Sequence, residues 1–179
     1  GRGDLRHDHH GTPGAPIGPD PTGGGGWPRR YGRSVTDDAA LVELAERTAR
    51  TAGRILLDGL DQVRVDVRTK SSATDMVSEM DRAAEVAIEE LLLGARPDDG
   101  MLGEEGTDRA GTSGVRWIVD PLDGTTNYLY GLPGFAVSIA AEVDGEVRAG
   151  VVYDVVRDEL FAATKGGDAT RDGRPIRCS

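Results

Sequence analysis

The sequence predicts an α+β domain. Two amphipathic helical stretches come first, short strands joined by tight turns follow, and a Gly/Pro-rich segment stands apart at the front. The 179 residues suit one domain, or one and a fraction, with enough chain to bury a core. Residues 1–34 hold 10 of the 26 Gly, 5 of the 9 Pro and all three His, with five Arg against three Asp. Since the whole chain carries −10, residues 35–179 carry −12, from 16 basic and 28 acidic groups. The front segment, with its run GTPGAPIGPDPTGGGG, cannot repay the ordering cost of a packed core. It reads as a disordered tail over 1–34, its His7, Asp8, His9 and His10 solvated, and 35–179 reads as the folded part.

Order begins near Ser34–Thr36. Leu41, Leu44, Ala45, Thr48, Ala52, Ile55 and Leu56 step by three and four, the stripe of an amphipathic helix. Ser34 or Thr36 suits its cap, and Asp37 and Asp38 its positive N-terminus. A second helix is predicted from about Ser78 to Leu93, with Ala84, Ile88, Leu91 and Leu92 on one face and Gly94 and Pro97 ending it. After Gly114 the period changes to two. Val115–Asp120 reads as a buried strand, Phe135–Val143 and Glu146–Tyr153 flank an Asp144-Gly145 hairpin turn, and Glu159–Ala163 gives another strand. Asp172-Gly173 turns the chain again before Pro175–Cys178. The result is an antiparallel meander behind two leading helices. The chain stops within what reads as a strand, which suggests truncation.

Composition removes several chemistries. Cys178 is the single cysteine, so disulfide frameworks and zinc–thiolate sites are out. Residues 35–179 contain no His, which excludes Ser-His-Asp triads, Cys-His pairs and His-ligated zinc built from that part. Its acidity argues against nucleic acid or an anionic membrane as the main partner. No apolar run approaches the roughly 20 residues that span a bilayer, and no signal peptide is visible. A soluble, cytoplasmic protein is expected, and any catalysis must come from carboxylates, hydroxyls and backbone groups.

Three segments carry such groups. In WIVDPLDGTTNYLYG (Trp117–Gly131) a β-branched strand delivers Asp120, Pro121 halts the ladder, and Asp123 returns three residues later. Carboxylates this close raise each other's pKa unless a cation sits between them, and all-oxygen ligation points to a hard ion such as Mg²⁺. Gly124, Thr125 and Thr126 follow where a helix can begin, and its free N–H groups favour a phosphate. An Asx-rich turn capping a helix accounts for the same residues without chemistry. Gly103-Glu104-Glu105-Gly106 is the second segment, in which adjacent glutamates cannot face the same way on an extended chain; alternatively it is a solvated acidic loop. The third, KSSATDMVSEMDRA, places Asp75 before the second helix and Asp81 in its first turn, where Ser78 and Asp81 are spaced like a capping box.

In this order, Lys70, Asp75 and Asp81, then Gly-Glu-Glu, then Asp-Pro-Leu-Asp-Gly-Thr-Thr-Asn resemble the inositol monophosphatase family, magnesium-dependent and lithium-sensitive sugar-phosphate phosphatases. The resemblance runs from about Leu41 to Ser179 and includes ATDMVSEMD, GEEG, GVVYDVVRDELFAA and DGRPI. It implies a layered α/β sandwich, leading helices packed on a mainly antiparallel sheet, with the C-terminal half absent. It further implies that Glu104 ligates one metal and orients the attacking water, that Asp120 bridges two metals, and that the Leu122 carbonyl and Asp123 complete the sites. Glu105 is implied as a supporting neighbour. Thr125 with Asp81 would take a proton from the water, and Asp123 and the Gly124 and Thr125 amides would contact the phosphate. The implied reaction is hydrolysis of a small phosphate monoester, inositol monophosphate first, by water activated by two or three Mg²⁺ ions in in-line attack. Histidinol phosphate, fructose-1,6-bisphosphate and 3′-phosphoadenosine nucleotides are alternatives, and a homodimer is the family default.

Two departures stand out. The family's later Trp-Asp motif, which supplies a further metal-ligating Asp, has no counterpart, because Trp27 and Trp117 are the only Trp residues. Tyr130 stands where several members carry His. A haloacid-dehalogenase-type phosphatase would space its two acids by two, whereas Asp120 and Asp123 are three apart. An EF-hand starting at Asp120 would need an acid where Gly131 stands. A reading of another class remains, an inactive metal-binding half-domain or interaction scaffold.

Overall fold

Helix α1 (Asp38–Asp66) opens at Asp37, whose Oδ1 accepts the Ala39 N–H at 3.0 Å. The computed structural model describes residues 37–66, 73–104 and 107–177, all within the unit Val35–Ser179 that the chain's contacts separate from Gly1–Ser34. The expected tail, the caps Ser34 and Thr36, Lys70, Glu105 and Cys178 lie outside the described residues. The predicted stripe of α1 is buried at Leu41, Leu44, Ala45, Thr48, Ala52 and Leu56, joined by Ala49 and Leu60. Small residues let α1 lie close to the sheet: a Cβ on Gly53 would come within 2.5 Å of the Tyr153 ring.

Helix α2 (Ala73–Ala95) begins five residues earlier than the sequence predicts. Asp75 complements the helix dipole in its first turn. Ser78 and Asp81 are therefore interior residues, and the capping-box reading fails. Val77, Asp81, Ala84, Glu85, Ile88 and Leu92 form its buried face, while Leu91, predicted to share it, is exposed at the stripe's edge.

Eight strands form one sheet: β1 (Gly100–Gly103), β2 (Asp108–Arg109), β3 (Val115–Asp123), β4 (Ala136–Val143), β5 (Glu146–Asp154), β6 (Glu159–Thr164), β7 (Ala169–Arg171) and β8 (Arg174–Ile176). The order is β2-β1-β3-β4-β5-β6-β7-β8, antiparallel throughout except for the parallel β1–β3 pair. Asp144 (φ 52°) and Gly145 (φ 84°) both adopt the left-handed conformation that a tight hairpin between β4 and β5 requires. Both helices lie on one face. They bury Val115, Trp117 and Val119 of β3, Val137, Ile139 and Ala141 of β4, and Val151 and Tyr153 of β5. Residues of alternate parity, Val152 among them, stay partly or fully exposed among the described residues.

A buried polar knot ties α2 to the sheet. Asp99 accepts the Trp117 Nε1–H at 3.0 Å and the Ser113 hydroxyl at 2.6 Å, and pairs with Arg96. Among the described residues no helix is long and apolar enough to cross a membrane.

Candidate active site

In a regular strand, Asp120 and Asp123, three apart, would face opposite sides of the sheet. In β3 they do not. Asp120 pairs with Ser138 of β4 and Asp123 with Ala136, three steps against two, so β3 carries one extra residue at Pro121-Leu122. Pro121 has no N–H to give the ladder, and the Leu122 N–H turns back to Asp120 Oδ1 at 3.2 Å while its side chain anchors in the core. The extra residue restores parity and brings both carboxylates to one side. The expectation that Pro121 halts the ladder is thus corrected: it opens a bulge, and the strand continues to Asp123.

Glu104 arrives by a different route. Strand β1 runs parallel to β3 with Gly103 beside Val119, so the next residue on each strand brings Glu104 beside Asp120. The Gly103 N–H, immediately before Glu104, donates to the Thr107 carbonyl at 2.7 Å. The Glu104 and Asp120 carboxyls face one another within hydrogen-bonding range. Asp120 is pushed up to about 7 by burial first, then by the bond to Glu104 and its charge, then by Asp123, against the Leu122 N–H.

Among the described residues no three His, Cys, Asp or Glu side chains stand ready to hold an ion. What the fold provides is a Glu104–Asp120 pair with Asp123 in electrostatic range. All donors are oxygens, and their mutual repulsion is the kind a hard divalent cation relieves, so the residues present fit Mg²⁺.

Directly after β3 the chain turns at Gly124 (φ 87°, ψ 38°) into α3 (Thr125–Leu129), whose start has no side-chain cap. Only glycine fits there: besides the positive φ, a Cβ would lie 2.7 Å from the Gly134 carbonyl and 3.2 Å from Phe135 Cα. The Thr125 and Thr126 side chains are exposed. Asn127 Nδ2 donates to the Gly134 carbonyl at 2.7 Å, and buried Tyr128 donates to the Leu56 carbonyl of α1 at 2.7 Å and meets Phe135 edge-on at 5.0 Å. Burial pushes the Tyr128 hydroxyl up to about 12, so it stays a donor.

Asp81 lies well inside α2 rather than in its first turn, buried on the face toward the core, and α2 packs against α3, which carries Thr125. Asp75 is exposed. Sequence reading passed over Glu85, buried four residues after Asp81 on the same helix face. Its signal was an acid inside the apolar stripe of Ala84, Ile88 and Leu92. A cavity of about 750 Å³ between α1 and the loops at 131–133 and 155–158 includes none of these acids.

Residues 37–179 match the model of the inositol monophosphatase family. The chain is 45% identical over 141 residues to an inositol-1-monophosphatase of Rhizobium meliloti, covering 78% of this chain and 53% of that protein. It is 40% identical over 142 residues to the Nus factor SuhB of Pseudomonas aeruginosa, covering 78% and 52%. The crystal structure of the extragenic suppressor protein suhB from Bartonella henselae superposes with a TM-score of 0.70 at 42% identity, over 78% of this chain and 54% of that one. The chain therefore spans about half the length of the relatives it matches. With the family pattern running through both leading helices and the whole sheet, the chain belongs to the inositol monophosphatase family.

Proposed function

We propose that this chain carries the acid half of a magnesium-dependent phosphatase site that hydrolyses a small phosphate monoester, with inositol monophosphate the first candidate. The observation that supports this most is the Asp120 carboxyl, caught between Glu104 and Asp123 at the end of a bulged strand and directly before the α3 start. Two or three Mg²⁺ ions, when bound, supply charge neutralisation for the phosphoryl group and acidify a water. Glu104, Asp120, the Leu122 carbonyl and Asp123 hold them. Glu104 also orients the attacking water, and Thr125 with Asp81 receives its proton. The Gly124 and Thr125 amides hold the phosphate oxygens in line with the attack.

Relatives named inositol-1-monophosphatase and Nus factor SuhB match at 45% and 40% identity, so similarity alone does not choose between a phosphatase and a partner-binding module. The convergence of acids favours hydrolysis, because a docking surface has no use for carboxylates that repel one another.

Phosphate release is the test. Inositol monophosphate, histidinol phosphate, fructose-1,6-bisphosphate and 3′-phosphoadenosine 5′-phosphate are offered with Mg²⁺, with EDTA and with added Li⁺. Release that requires Mg²⁺ and falls with Li⁺ is expected. Release that survives EDTA, or an aspartyl-phosphate trapped on Asp120, contradicts the proposal; Mg²⁺ binding without turnover of any ester favours the module.

A further inference from the structure

The corner that presents Glu104 rests on a side chain with no assigned task. Glu85 of α2 is 5% exposed, makes no ion pair with any described Lys or Arg, and its Oε1 has no hydrogen-bond donor among the described residues. Its carboxyl lies against Gly103. A Cβ built on Gly103 would overlap Glu85 Oε1, lie 3.0 Å from its Cδ and 3.3 Å from Thr107 Cβ. The contact is therefore with the backbone immediately before Glu104. Glycine at 103 is what leaves room for the carboxyl.

A buried carboxylate without donor or counter-ion destabilises a fold unless something offsets it. Here that oxygen packs against Gly103, and the next residue after β1 is Glu104, brought beside Asp120 by the parallel pairing with β3. We propose that Glu85 is a positioning residue of the acid site: packed against Gly103 from the α2 side, it sets where the following residue, Glu104, is held to meet a divalent cation together with Asp120. The inference rests on the metal-site reading above and adds to it a residue that touches neither cation nor substrate. It also gives Gly103 a reason, since any side chain there would displace the carboxyl.

Calorimetric titration of Mg²⁺ into the chain at pH 7.5, paired with melting in EDTA, separates positioning from packing. Glu85→Gln should weaken Mg²⁺ binding about 10–100-fold, the usual effect of losing an outer-shell partner, without lowering the metal-free melting temperature. Gly103→Ala should reproduce the loss, and the double variant should bind no more weakly than either single one, since both act on one contact. Glu85→Asp, which keeps the charge on a shorter stem, should fall between wild type and Gln. An unchanged Mg²⁺ affinity in Glu85→Gln, or a lowered melting temperature with unchanged affinity, overturns the inference while leaving the metal site standing. If the Gln variant fails to fold, Glu85→Asp decides by the same criterion, unchanged affinity overturning it. A wild-type chain that binds no Mg²⁺ overturns the site reading and this inference together.

Discussion

Asp120 is the most testable single residue of the proposed site, because its titration is displaced. The pKa of its carboxyl is pushed up to about 7 in the fold from an ordinary 3.8, by burial first and then by Glu104 and Asp123. Between those values the folded state binds the proton more tightly than the unfolded chain, so this group's contribution to stability falls as pH rises through the window and stays lost above about 7. Metal-free Asp120→Asn should therefore melt higher than wild type at pH 8 and level with it near pH 4. Because Asp120 is only half-buried, solvent screening limits the gap to about 2–4 °C, the response to about 1 kcal/mol. Added Mg²⁺ should close the gap by raising wild type alone. On the proposed phosphatase reading, the same substitution should lower kcat by several orders of magnitude with folding intact, and a near-normal turnover would discredit that reading. Tyr128→Phe removes a buried hydroxyl whose bond to the Leu56 carbonyl adds to that carbonyl's helical one, which should cost about 1 kcal/mol in urea unfolding.

The elements that build the site were unevenly legible. Asp144-Gly145 and the alternating residues on either side gave β4 and β5 nearly to the residue, because turn chemistry and period two are local signals. Strand β1 has four residues with glycine at both ends, and its place beside β3 is set by a parallel pairing that no local pattern encodes. The proximity of Glu104 to Asp120 was therefore invisible to spacing and entered only through the family resemblance. The bulge at Pro121-Leu122 was half visible: proline signalled a disturbed ladder, but only the pairing with β4 revealed that the strand resumes with its parity restored. The start of α2 was misplaced because Ser78 and Asp81 imitate a cap, a local motif overruled by a longer helix. Asp99 went unread, since its worth lies in joining Arg96, Ser113 and Trp117 from separate elements. Asp99→Ala strands the buried Trp117 N–H, and about 2–4 kcal/mol of destabilisation is expected by chemical denaturation.

Across the whole molecule, two helices cover one face of an eight-stranded sheet, and the Glu104–Asp120 pair sits where the parallel strands β1 and β3 run side by side. The fold class was readable because helix and strand periods segregate along the chain, the helices first and the meander after Gly114. The net −10 charge bears on the proposed reading, in which carboxylates alone would repel a phosphate ester and bound cations would offset that repulsion. Manganese, a hard divalent ion with strong anomalous scattering, reads that claim out directly in crystals of the chain grown at pH 7.5. The account predicts anomalous density within about 2.0–2.4 Å of carboxylate oxygens of Glu104, Asp120 and Asp123 and absent in Asp120→Asn crystals. Density bound only elsewhere on the surface, or none at Glu104, Asp120 and Asp123 at saturating manganese, would contradict it.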